Sequence, residues 1–84
     1  MINYKKEILN NICYTDLVYG RINKKLNLLL SRDKIEELIL ATLTDTNESA
    51  FVKKGKNIYV ANNERNIQLT INSYTNRIIT AKRL

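Results

Sequence analysis

Seven cations in the last thirty-four residues of this chain could handle a phosphate group. Lys53, Lys54 and Lys56 crowd around Gly55, and Arg65, Arg77, Lys82 and Arg83 follow. Such groups bind phosphate or stabilise negative charge as it develops. The chain has no histidine, so proton transfer near neutrality would fall to a carboxylate, a lysine or a tyrosine with a shifted pKa. The chemistry that suits this set is metal-independent endoribonuclease cleavage. There the RNA 2'-hydroxyl is the nucleophile, and alignment with cationic stabilisation does the rest. Arg65, Lys54 and Thr80 are the catalytic candidates, with Lys56 and Arg77 as further cations. Binding without cleavage needs less. Lys53, Lys54, Lys56, Arg77 and Lys82 supply phosphate contacts, Asn72 and Thr75 supply amide and hydroxyl groups, and Tyr59 offers a ring on which an unstacked base can sit.

Each of these residues also has an ordinary use. A sheet with one solvated face is normally polar, lysines keep a hairpin tip soluble, and Arg65 suits a loop. Asp33, Glu36 and Glu37 read as the solvated face of a helix. Cys13 reads as a small core residue, since no base lies near it in sequence. A lone cysteine without histidine forms neither an intramolecular disulfide nor a zinc-type ligand set, so neither metal nor cofactor is expected.

The charge is unevenly placed. Residues 1–50 carry seven Lys/Arg and seven Asp/Glu, whereas residues 51–84 carry seven Lys/Arg and Glu64 alone, which accounts for the net charge of +6. Segregated positive charge predicts a polyanionic partner, RNA foremost.

Eighty-four residues make one small domain, 1–84, near the size at which a core needs help, so partner stabilisation or a homodimer fits. Apolar runs such as Leu28 to Leu30 are too short for a bilayer or a signal sequence, which predicts a cytoplasmic protein without a membrane segment. Apolar residues repeat at helical spacing in three stripes: Tyr4, Ile8 and Ile12; Val18, Ile22, Leu26 and Leu29; and Ile35, Leu38, Ile39 and Leu43. Thr15 and Ser31 are the expected caps of the second and third helices. A helical part over 1–44 thus precedes a basic sheet over 50–84.

In that sheet, Gly55-Lys56 suits a two-residue hairpin setting Phe51 opposite Val60 and Lys53 opposite Ile58. Asn62 to Arg65 reads as the next turn. Ile67, Leu69 and Ile71 then alternate with polar residues. A last turn through Tyr74-Thr75, with left-handed Asn76, would pair Ser73 with Arg77 and set Ile71, Thr70 and Leu69 opposite Ile79, Thr80 and Ala81. The expected fold is α+β, about three N-terminal helices on one face of a four-stranded antiparallel meander. Lys54, Asn57, Tyr59, Gln68, Thr70, Asn72, Thr80 and Lys82 fall on the other face.

The blocks Thr15-Asp16-Leu17 with Arg21-Ile22, Gly55-Lys56-Asn57 with Tyr59, Thr70-Ile71-Asn72 and Ile78-Ile79-Thr80-Ala81 resemble a small bacterial family of unknown function. The resemblance covers nearly the whole chain and departs at Val18, Lys25 and Asn76-Arg77. A second resemblance is architectural: helices before a meander ending in the hairpin of Ile71 to Thr80 are similar to the RelE, barnase and colicin-type ribonuclease toxins. That resemblance implies Lys54, Lys56, Arg65, Asn72, Thr75 and Thr80 as a site holding RNA, with an antitoxin as partner. The rival expectation is a phage or mobile-element inhibitor, for example of a host nuclease or CRISPR effector, docking its basic sheet face on a host protein.

Overall fold

The computed structural model describes residues 3–84. Helices α1 (Tyr4–Asn11), α2 (Val18–Leu26) and α3 (Arg32–Asp45) precede strands β1 (Phe51–Lys54), β2 (Asn57–Asn62), β3 (Ile67–Asn72) and β4 (Ile78–Arg83), with one turn of 3-10 helix over Glu48–Ala50 between the two parts. The strands form one antiparallel sheet in the order β1-β2-β3-β4. This is the expected α+β meander.

Alternation decides which sheet face is covered. Ile58, Val60, Leu69, Ile71, Ile78 and Ala81 are buried together with Ile8, Ile22, Leu26, Ile35, Ile39 and Leu43 of the helices in one apolar cluster. α2 lies along β4 and α3 crosses β2, while α1 packs on α3. Burying about 25 cal/mol per Å² of apolar surface on this face is what holds helices to sheet.

The helix ends follow local chemistry. Asn3 caps α1 by accepting from the Lys6 amide, and Ser31 caps α3 by accepting from Lys34, as its sequence position predicts. Thr15 does not cap α2. Its carbonyl accepts from Val18 instead, and the helix starts beyond Leu17 without a side-chain cap. At the other end Asn27 turns left-handed, with φ of 55°, so α2 stops at Leu26 and Leu29 is thrown fully into solvent rather than joining the apolar stripe. Replacing Asn27 by Ala should cost about 1 kcal/mol in urea unfolding, because a β-carbon resists that conformation, whereas Gly should be nearly neutral.

The first hairpin has the expected register, with Phe51 opposite Val60 and Lys53 opposite Ile58, and Gly55 in the first turn position has φ of 64°. Asn62 belongs to β2, opposite Ile67, and the turn is 63–66 with Asn66 at φ of 60°. Asn62 is held in place by need. It is buried, donates to Thr46 Oγ1 at 2.9 Å and accepts from the Arg65 amide at 2.9 Å, clipping the end of α3 to the sheet.

The last hairpin departs from expectation at its tip. Asn76 is left-handed as expected, with φ of 57°, but Ser73 does not pair with Arg77. The Ser73 amide and hydroxyl both donate to the Lys56 carbonyl at 2.8 Å, so the loop lengthens to four residues and closes through the Asn72 amide on the Arg77 carbonyl. The extra residue is absorbed by a bulge between Thr70 and Ile71 in the ladder. Ile71 therefore faces Ile78, not Ile79, while Thr70 opposite Thr80 and Leu69 opposite Ala81 stand as expected. The bulge lets both Ile78 and Ala81 point into the core. Cys13 adds one parallel bridge outside β4, its amide donating to Asn76 and its carbonyl accepting from Ile78.

Candidate nucleic-acid interface

The face of the sheet turned away from the helices is bare. By register it carries Val52 and Lys54 from β1, Asn57, Tyr59 and Ala61 from β2, Gln68, Thr70 and Asn72 from β3, and Thr80 and Lys82 from β4. Tyr59 sits in the middle, half-buried, with Val52 on one side and Thr70 on the other. It is the single aromatic residue on this face.

The catalytic candidates do not converge. Lys54 is on β1 and Thr80 on β4, the two outer strands, which three inter-strand spacings set about 14 Å apart. Arg65 lies in the β2–β3 turn at the far end of β2 from Lys54, and Asp45 holds its guanidinium at 2.7 Å. Asn72 supports the last turn by accepting from the amides of Tyr74 and Thr75, and the Thr75 hydroxyl accepts from Arg77. Lys53 is on the helix side of the sheet, since it shares the face of Ile58. Lys56 and Thr75 belong to the two turns at one end, beside Arg77.

Because its charge is already matched, Arg65→Ala should change RNA affinity less than about threefold. It should also lower stability by at most ~1 kcal/mol, as for other part-exposed pairs. Fluorescence anisotropy and urea titration would read the two effects; a tenfold affinity loss would restore Arg65 as a contact.

The edge formed by α2 and β4 carries cations that sequence reasoning passes over. α2 has Arg21, Lys24 and Lys25 on its outer side, because its apolar stripe of Val18, Ile22 and Leu26 faces the core. β4 brings Arg83 beside them, with Arg77 just before the strand and Lys82 at the same edge but on the bare face. Arg21 donates to the Ile79 carbonyl at 3.1 Å and Arg83 to the Leu26 carbonyl at 3.2 Å, stitching the two elements side by side. Neither element has an Asp or Glu. The ion pairs among the described residues are Arg32 with Asp16, Lys34 with Glu37 and Arg65 with Asp45, none of which engages this edge. Exposed Gly20 leaves a shallow depression between Arg21, Lys24 and Lys25. The signal was present in sequence as three cations and no acid over 18–26; counting charge over the whole N-terminal half hid it.

Groups poised for proton transfer are not what stands out. Burial, then the Glu36 carboxylate, pushes the Tyr14 phenol up to about 12. Tyr19 is also raised, by burial and by its 2.9 Å hydrogen bond to Glu36. Both shifts move away from neutrality. Among the described residues, no three Cys, Asp or Glu side chains gather closely enough to hold a metal ion, and no helix is long and apolar enough to cross a membrane.

Fold and surface define a small α+β domain with one uncovered sheet face and a cationic edge. The chain belongs to the family described as "protein of unknown function (DUF3781)", whose model matches residues 6–82. No curated protein and no solved structure matches the chain, and no similarity to a ribonuclease is shown.

Proposed function

We propose that this protein binds nucleic acid, with RNA as its ligand, through the bare sheet face and the α2–β4 edge. One observation carries the reading: Arg21, Lys24 and Lys25 on α2, Lys82 and Arg83 on β4 and Arg77 immediately before that strand, with no carboxylate on either element. Matched charge would cancel in the field felt at a distance, whereas an unmatched row attracts a polyanion and releases its counterions on contact. Tyr59 adds a ring for base stacking beside the phosphate track. Binding is favoured over cleavage, because Arg65, Lys54 and Thr80 lie too far apart to act on one phosphodiester. The RNA in this reading is a cytoplasmic one, since a lone thiol suits a reducing compartment.

The test is to incubate the purified protein with total cellular RNA in EDTA and follow retention and fragmentation as salt is raised. Retention that weakens with salt, without fragments, is the expected result. Defined fragments would make the protein a metal-independent ribonuclease. Absence of both retention and fragmentation would overturn the RNA reading and direct attention to an acidic host protein or antitoxin bound by the same edge.

A further inference from the structure

Tyr74 and Lys53 have no part in the interface so far, and both border a cleft at the turn end of the sheet, on its helix side. The cleft has a volume of about 130 Å³, smaller than the site of a drug-sized ligand, and its mouth opens to solvent. Buried Ile8 and Ile58 form its floor, and Tyr4, Glu7, Lys53 and Tyr74 its walls. Tyr74 is 72% exposed, unusual for a ring with apolar surface available nearby, and Lys53 Nζ stands 6.0 Å from its centroid. Glu7 is in the first turn of α1 and has no ion pair among the described residues. Lys56 and Arg77 lie at the same end of the molecule, in and beside the two turns joined by the Ser73 amide and the Lys56 carbonyl.

The geometry points to a pocket for one unpaired guanine base. A flat heterocycle can lie on the apolar floor with one face against a tyrosine ring, as unstacked bases do on aromatic side chains. The polar edge is what selects guanine. Its ring N–H and exocyclic amine are adjacent donors that a carboxylate can accept together, and its O6, next to them, is an acceptor for an ammonium group. Glu7 and Lys53 supply those two partners. Adenine and cytosine each offer one amine to the carboxylate, and uracil offers a single N–H flanked by carbonyls. Lys56 and Arg77 then receive the flanking phosphates. This inference rests on the RNA reading for its ligand, yet uses a site on the opposite side of the sheet from Tyr59.

Two measurements on the intact protein separate the inference from the reading beneath it. Guanosine and adenosine monophosphates are titrated into ¹⁵N-labelled protein, following the Ser73 and Tyr74 amides. Guanosine monophosphate should shift them and bind about tenfold or more tightly than its adenosine counterpart, in line with one bidentate base contact. Glu7→Gln should abolish that preference, and Tyr74→Ala should weaken both ligands while the remaining amide spectrum stays intact. Equal binding of the two nucleotides, no shifts, or a preference that survives Glu7→Gln would overturn the pocket. Oligouridine with and without a single guanine is then compared by anisotropy. If both bind equally, RNA binding stands and the pocket fails; if neither binds, the RNA reading fails, and the inference with it.

Discussion

Replacing Lys24, Lys25 and Lys82 together by glutamine is expected to weaken RNA binding about a hundredfold at 0.1 M salt. The size follows from counterion release. Each phosphate contact to a single strand contributes a slope of about −0.7 in log K against log salt, so three lost contacts remove roughly two decades relative to 1 M salt. The slope itself should fall by about 2, which separates a loss of phosphate contacts from a loss of stacking. These residues are exposed and make neither an ion pair nor a side-chain hydrogen bond among the described residues. The variant should therefore unfold at the wild-type urea concentration. Arg21 and Arg83 are left alone because they bond the backbone across the α2–β4 seam. A triple variant that binds RNA with unchanged slope would remove this edge from the interface.

Ile22→Ala should be the most damaging single change to the fold. Ile22 is fully buried where α2 meets the sheet. Truncating such a side chain costs about 2–5 kcal/mol, from lost transfer free energy and the cavity left behind. A domain of this length has a total stability of roughly 4–12 kcal/mol, so one residue holds a large share. Thermal unfolding should drop by at least about 12 °C, and urea unfolding should shift with little change in m. Val52→Ala, with Val52 on the bare face and 55% exposed, serves as the matched comparison and should change stability by less than ~0.5 kcal/mol. A cost below about 1 kcal/mol for Ile22→Ala would mean that α2 is loosely seated.

Much of the architecture is legible in the sequence. Helical stripes and strand alternation are averages over many residues, so single exceptions do not erase them. Gly55-Lys56 fixes one hairpin because its turn type allows one register. Apart from Leu29, which the left-handed Asn27 turns out of its stripe, the departures are places where a distant partner decides the outcome. Local turn rules pair Ser73 with Arg77, yet it bonds Lys56, seventeen positions away. Thr15 has the right chemistry for a cap, but Cys13 is tied down by Asn76 and Ile78, and the helix begins later. The candidate site follows the same rule. Lys54, Tyr59 and Lys82 were assigned to the correct face by parity alone. That Arg65 is held by Asp45, and that α2 lends its cations to β4, depends on packing between elements far apart in sequence. No pattern along the chain contains that information.

The seam between α2 and β4 has one further consequence, for the order of events during synthesis. Val18, Ile22 and Leu26 gain cover from a strand that begins more than fifty residues later, and the bridge at Cys13 waits for the same strand. While the ribosome is still making the meander, the amphipathic N-terminal helices have no sheet to cover. Their apolar stripes are then available to chaperones or to other chains. Completion of the core is a late step that closes long loops all at once, so this small protein should fold slowly for its size and mainly after β4 has emerged.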